Sequence, residues 1–292
     1  MESPQDLVLV TGVTGNQGGA VARELIARGV RVRGMTRRPQ SDEAKALARL
    51  GVEIVTGDLD DEASLKRALE GVWGAFAVQN TWEAGVEREE VQGKRFARLA
   101  REQGVRHLVY SSVGSAHRQT GIPHFDNKWR IEETIRGLGF PSYVILRPVF
   151  FMENLAGPGF LPGIQQGTLA AGMEPETTLQ MIAVGDIGKY GAWAFEHHAE
   201  LNGRAIDIAG DQLTMPEAAK VLAKVTGRPV TFVRLPIEQV RAFSDDFATM
   251  LEWFDRKGYE ADIARNARES GIRPTPFEEW AAGTAWASPV AA

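Results

Sequence analysis

Cysteine is missing from all 292 residues. Its absence excludes disulfides, thiolate nucleophiles and any zinc or iron–sulfur site built on cysteine, and it accords with a reducing compartment. A surplus of positive charge is missing too. Lys and Arg number 33 against 38 Asp and Glu, a net charge of −5, so no overall basic field exists to draw in nucleic acid directly. No uninterrupted apolar run approaches the roughly 18 residues needed to cross a bilayer. The opening Met1-Glu2-Ser3-Pro4-Gln5-Asp6 lacks the basic start and apolar stretch of a secretion signal. The chain therefore reads as cytoplasmic, with no membrane partner. Histidine is scarce, at five. The adjacent pair His197 and His198, near Glu196 and Glu200, points about 100° apart on a helix, and no third ligand has suitable spacing, so no metal is expected.

What is present is an ordinary globular balance, 43% hydrophobic and 24% charged, enough to bury a sizeable core. Short apolar runs alternate with segments of helical period. Leu7 to Val10, Val30 to Met35, Val52 to Thr56, Ala75 to Val78, His107 to Ser111 and Ser142 to Leu146 read as strands. Gly18 to Arg28, Asp42 to Leu50, Glu62 to Leu69, a long helix from about Glu83 to Arg101, and Asn127 to Arg136 read as helices. Strands separated by helical crossovers pair in parallel, with helices on both faces. The expected fold is α/β: a doubly wound parallel Rossmann sheet with a smaller C-terminal lobe.

Past Pro148 the pattern loosens. Residues 156–178 hold five glycines and three prolines, a long connection of the kind that forms lids or substrate loops. A helix from about Asp186 to His197 and a strand near Ala205 to Ala209 follow, and that strand can rejoin the main sheet. Met215 to Val225 is helical, Val230 to Leu235 extended and Phe247 to Arg256 helical. The expected division is residues 1–154 plus about 183–210 for the nucleotide domain. About 155–182 plus 211–292 form the smaller substrate or partner lobe, the final Ala-Ser-Pro-Val-Ala-Ala being a frayed tail.

The most specific signal is Val8-Leu9-Val10-Thr11-Gly12-Val13-Thr14-Gly15-Asn16-Gln17-Gly18-Gly19. Gly12, Gly15 and Gly18 stand between a buried strand and a helix. The first permits the sharp turn, the second lets backbone approach a pyrophosphate, and the third lets helix pack tightly on sheet. The diphosphate then meets free N–H groups and the positive end of the helix dipole, with Thr14, Asn16 and Gln17 as the turn's other cofactor contacts. After the second strand, where an NAD site places an acid on the ribose 2′-hydroxyl, this chain has Thr36-Arg37-Arg38-Pro39 and no acid before Asp42. A carboxylate would repel a 2′-phosphate and a guanidinium accepts one. Arg37 comes first after the strand, and NADP(H) is favoured. After the third strand Asp58, followed by Leu59, can reach the adenine, while Asp60 or Asp61 caps the next helix. Gln79 and Asn80 follow the fourth strand, where the nicotinamide-side ribose should lie.

These segments, with His124-Phe125-Asp126-Asn127-Lys128, Arg147-Pro148-Val149-Phe150-Phe151-Met152-Glu153-Asn154 and Val184-Gly185-Asp186-Ile187-Gly188, resemble the NmrA-like branch of the atypical short-chain dehydrogenases/reductases, from Leu7 to about Ala209. The resemblance implies an NADP(H)-binding Rossmann domain. It leaves the activity open, because the branch holds both NADP(H)-sensing co-regulators that act through protein partners and reductases of quinone-like or triphenylmethane-type compounds.

Typical members of the wider class carry Tyr-x-x-x-Lys at the start of the helix after the fifth strand, both side chains on one face. Here Lys128 is present as a ribose anchor, but His124 holds the tyrosine position, either as a proton donor or as a loop residue stacked on the cofactor. The usual serine is displaced: Val113 follows Tyr110-Ser111-Ser112. Phe150, Phe151 and Met152 give an apolar wall, Trp82 overhangs it, and Asn154 and Phe151 are cofactor contacts at the sheet's carboxyl edge. Two readings result. One is a reductase moving hydride from NADPH to a small, flat, apolar acceptor with Lys128 and His124 catalytic, the other a non-catalytic NADP(H)-responsive regulator.

Overall fold

A computed structural model describes residues 6–286; the frayed tail expected at residues 287–292 lies outside them, as do residues 1–5. The chain runs β1 (Leu7–Val10), α1 (Asn16–Ala27), β2 (Arg31–Thr36), α2 (Asp42–Arg49), β3 (Glu53–Thr56), α3 (Glu62–Leu69), β4 (Gly74–Ala77), α4 (Thr81–Ala84), α5 (Val86–Glu102), β5 (His107–Ser111), α6 (Pro123–Gly137) and β6 (Ser142–Pro148). There follow β7 (Phe150–Phe151), α7 (Leu161–Gln165), β8 (Thr168–Ala171), β9 (Thr178–Ile182), α8 (Val184–Glu196), β10 (Ala205–Ile208), β11 (Asp211–Thr214), α9 (Met215–Thr226), β12 (Thr231–Arg234), α10 (Ile237–Phe243), α11 (Asp245–Arg256), α12 (Ile263–Ser270) and α13 (Phe277–Gly283). Among the described residues no helix is long and apolar enough to cross a membrane.

The described residues form two compact units: residues 6–119, 123–147 and 187–206, and residues 120–122, 148–186 and 207–286. The division thus falls at 147/148, before the last residue of β6, and residues 148–154, 183–186 and 207–210 go with the second unit.

In the first unit a seven-stranded sheet has the order β10-β6-β5-β4-β1-β2-β3. Pairing from β3 through β6 is parallel throughout, so the doubly wound Rossmann fold is present. Both faces are covered, which is why β1, β4 and β5 are buried along their whole length and β1 is apolar throughout. Leu7, Leu9, Ala75, Ala77, Leu108, Tyr110 and Ile145 face one way, against Leu65, Leu69, Phe96, Leu99 and Ile131 of α3, α5 and α6. On the other face α1 and α8 approach closely through glycine: a Cβ on Gly191 would lie 2.6 Å from the Val21 side chain. Strand order reverses at β1, whose neighbours are β2 and β4. That switch point opens a crevice outside the carboxyl ends of the strands.

Local chemistry explains the helix boundaries. Ser41 caps α2 by accepting from the Ala44 amide, and Asp61, not Asp60, caps α3. The long helix expected from Glu83 to Arg101 is instead two, α4 and α5, broken at Gly85, whose φ of +82° ends the first turn. The expected loop at 156–178 is also partly regular. It contains α7 and β8, and β8 pairs in parallel with β12 inside the second unit. Short elements between glycines carry too little period to be read from sequence. That unit's other sheet has the order β11-β9-β7.

His107 illustrates how polar groups enter the first unit's core. Its Nδ1 meets Ser142 Oγ at 2.9 Å and its Nε2 the Ala194 carbonyl at 3.1 Å. Burial, then the neighbouring His198, lowers its pKa to about 3. A chain that unfolds frees this imidazole to take a proton below its ordinary pKa of about 6.5, so stability is present above that pH and falls as pH drops towards 3. From pH 7.5 to pH 5 this one group withdraws about 2 kcal/mol. Urea midpoints measured across that range should fall less steeply for His107→Gln than for the unaltered chain; equal slopes would show that His107 is not the buried neutral group described.

Candidate active site at the sheet switch point

The turn between β1 and α1 is built on two glycines that cannot be replaced without moving backbone. Gly12 has φ +57°, and a Cβ on Gly18 would stand 2.4 Å from the Gly12 carbonyl oxygen and 2.6 Å from that of Thr11. Thr11, wholly buried, ties the turn to the end of β4. Its Oγ1 donates to the Val78 carbonyl at 3.0 Å and accepts from the Val78 amide at 2.9 Å. Unlike α2 and α3, helix α1 has no side-chain cap; its N-cap is Gly15. Gly12, Gly15 and Asn16 are exposed. The first turn of α1 therefore presents backbone N–H groups and the positive end of its dipole to an anion. Thr14 Oγ1 lies 3.4 Å from Thr36 Oγ1, at the end of β2. Gln17 Oε1 accepts from Ser111 Oγ at the end of β5.

Gln79 supplies a second, independent sign of a ligand. It is only 6% exposed, yet neither its Oε1 nor its Nε2 has a hydrogen-bond partner. Leaving such groups unmet costs about 1–3 kcal/mol each, and a polar ligand laid across the strand ends would meet them. The residues present thus fit a dinucleotide, with backbone for the diphosphate and an amide for its polar far half. Asn80 is committed locally: its Oδ1 caps α4 by accepting from the Trp82 amide at 3.1 Å.

The residues expected on the adenosine side, Arg37, Asp58 and Leu59, lie just past the ends of β2 and β3. Arg37, exposed at the end of β2, donates to Glu83 of α4. Asp58 folds onto its own turn, its Oδ1 accepting from the Asp60 amide at 2.9 Å, and Leu59 packs against the core. Asp60 is held by Arg88, Gln92 and Arg95.

At the other end, α6 begins at Pro123, so His124 sits in a helix and not in a loop, one turn before Lys128. Both are buried, at 7% and 9% exposure. The His124 ring lies 5.2 Å from that of Trp82 and 4.8 Å from that of Phe125. Lys128 is no surface lysine: its Nζ donates to Glu89 of α5, a carboxylate with no exposed surface. Glu89 also accepts from Asn127 Nδ2 at 2.8 Å and from Thr81 Oγ1. Burial alone would raise its pKa; the Lys128 ammonium and the bonds from Lys128, Thr81 and Asn127 outweigh that and hold the carboxyl below its ordinary range. Sequence reasoning missed Glu89, which lies in the first turn of α5 beside other acidic residues that look like it in sequence.

The serines near β5 are engaged, Ser111 with Gln17 and Ser112 with the buried Glu132 at 2.6 Å. Ser115 is buried with φ +63°. Phe150, Phe151, Met152 and Asn154 belong to the second unit. There Phe150 and Met152 are core, so Phe151, half-buried, and Asn154, exposed, are the members of that run with surface to offer. Among the described residues no cluster of His, Asp and Glu could hold a metal ion; His197 Nδ1 pairs with Glu200 at 2.7 Å.

The comparisons agree with this frame. A family model described as the NmrA-like family matches residues 4–281. A (4-alkanoyl-5-oxo-2,5-dihydrofuran-3-yl)methyl phosphate reductase from Streptomyces griseus subsp. griseus is 30% identical over 288 residues, 94% of this chain and 97% of that one. Among solved structures, the NADPH-dependent quinone oxidoreductase QOR2 of Escherichia coli, complexed with NADPH, superposes with a TM-score of 0.80 at 22% identity, covering 95% of this chain and 99% of that one. NmrA, a negative transcriptional regulator in complex with NAD, superposes with a TM-score of 0.81 at 20% identity, covering 97% and 99%. At these identities the two structures establish the fold alone.

The Glu89–Lys128 pair yields a prediction. Removing one member of a buried pair strands the other and costs about 3–5 kcal/mol, whereas removing both costs less. Glu89→Gln should lower the thermal midpoint clearly, and Glu89→Gln/Lys128→Met should recover part of that loss in the same melts. Additive losses would show the pair to be energetically uncoupled.

Proposed function

The chain belongs to the NmrA-like family, and from that premise we propose that it is an NADPH-dependent reductase of a small, flat, apolar acceptor, quinone-like or triphenylmethane-type. The observation that carries this reading is the buried Lys128, fixed by Glu89 one helical turn after His124. A residue that only solubilised α6 would not be buried and paired. The Streptomyces griseus relative, similar over nearly its full length, is itself a reductase by name.

Bound NADPH supplies a hydride. The protein's part is to hold and to protonate. The uncapped turn at Gly12–Gly18 takes the diphosphate, and Arg37 takes the 2′-phosphate. Gln79 bonds the nicotinamide half through its unmet amide. Lys128 donates to the ribose hydroxyls and is kept in place by Glu89. His124, on the same helical face as Lys128, would deliver the proton that accompanies the hydride, so that a quinone gains two electrons and two protons in one turnover and leaves as the hydroquinone. Trp82 shields the His124 ring from water on one side. An acceptor with delocalised charge needs close stacking on the nicotinamide and only a weak proton donor, which is compatible with an imidazole in place of a phenol.

A second reading rests on one observation: the phenol of the wider class is absent, and His124 is packed between Trp82 and Phe125. In that reading the chain senses NADP(H) and passes its state to a protein partner without turnover.

NADPH oxidation followed at 340 nm with menadione and with a triphenylmethane dye separates the two. The reductase reading expects saturable turnover, reduced at least about tenfold in His124→Ala and in Lys128→Met, with NADPH binding retained in His124→Ala, weakened in Lys128→Met, and a native circular dichroism spectrum in both as evidence of folding. NADPH bound without turnover of either acceptor, with altered protease sensitivity of residues 156–178 in its presence, contradicts it and favours the sensor.

A further inference from the structure

The four-residue helix α4 touches both ends of the candidate cofactor site through consecutive side chains. Thr81 donates to Glu89, which holds Lys128. Trp82 lies against His124 at 5.2 Å. Glu83 reaches back to β2 and pairs with Arg37, 46 residues away in sequence. The Arg37 and Glu83 side chains are 56% and 54% exposed, so the pair is solvent-accessible and open to exchange. Glu83 is the principal influence raising the Arg37 pKa, with Asp58 adding to it at longer range. Neighbouring Arg88 is engaged with Asp60.

A carboxylate paired to a guanidinium occupies the ground that a phosphate would take, since both offer two oxygens to the same fork of N–H donors. We propose that Glu83 is an internal competitor for the 2′-phosphate at Arg37 and thereby sets how strongly the chain prefers NADPH to NADH, an inference that rests on the coenzyme reading given above. NADH, with a 2′-hydroxyl, leaves the Arg37–Glu83 pair in place. NADPH must break it and then sits beside the displaced carboxylate, whose charge repels the incoming phosphate. Glu83 therefore lowers selectivity below what Arg37 alone would give. Exposed ion pairs are weak and like charges in water repel only modestly, so the combined penalty is about three- to tenfold in affinity. It shrinks as salt screens both effects.

Dissociation constants for NADPH and NADH, read from coenzyme fluorescence on the full chain at low and high salt, test this with Glu83→Gln, Arg37→Gln and the double variant. Glu83→Gln should bind NADPH about three- to tenfold more tightly at low salt, change NADH by less than about twofold, and lose most of its advantage at high salt. In the Arg37→Gln background the same change should give less than half the gain. Unchanged NADPH affinity in Glu83→Gln, while Arg37→Gln weakens NADPH, would overturn the role of Glu83 and leave the coenzyme reading standing. Equal tightening of both coenzymes would likewise overturn it. NADPH bound no better than NADH by the unaltered chain, with Arg37→Gln without effect, would instead remove the coenzyme reading on which the inference rests.

Discussion

Everything at the switch point depends on one close approach, that of α1 to the carbonyls of Thr11 and Gly12. No side chain fits there, because a Cβ on Gly18 would overlap backbone oxygen at 2.4 Å. With glycine in place, the helix begins directly above the end of β1 and its first amides face outward with no side-chain cap. Thr11 then locks the turn to Val78 through a reciprocal pair of hydrogen bonds, which brings Gln79 beside it. Strand order makes this the natural place for a ligand, since β2 and β4 flank β1 and their connections leave in opposite directions.

Two buried carboxylates organise the polar groups beyond the strand ends. Glu89 gathers Thr81, Asn127 and Lys128. Glu132 gathers Ser112, Arg136 and a bidentate Arg147. A buried ion pair adds little net stability over an apolar pair, but it fixes geometry, because any displacement leaves a charge unmet. For Lys128 that geometry is the point: an ammonium on a flexible stem becomes a donor at one defined place. The exposed Arg37–Glu83 pair is the opposite case, loose enough to exchange. The first unit thus keeps its rigid charges inside and its exchangeable ones at the rim.

The sheet was legible in the sequence because parallel strands buried on both faces leave continuous apolar runs, as in Leu7–Val10, and glycines mark where helices stop. The glycine turn between β1 and α1 was legible because three glycines with fixed spacing each answer a separate geometric demand. Tertiary partners were not. Asp60 and Asp61 look alike in sequence, yet Asp61 caps α3 while Asp60 meets Arg88 and Arg95 of α5, a pairing set by packing. Likewise the break at Gly85 and the burial of His124 follow from how α4 and α5 pack beside α6, which local periodicity does not encode. The second unit was read least well. Its short strands β7, β8, β9 and β11 depend on partners distant in sequence, and strands of two to five residues leave almost no period to detect.

The most direct test of the account is a crystal structure of the chain with NADPH bound. It should show the diphosphate on the backbone amides at the start of α1, the Gln79 amide bonded to the nicotinamide half, and Lys128 still held by Glu89. A diphosphate placed elsewhere, or a bound coenzyme that leaves Gln79 without a partner, would contradict it.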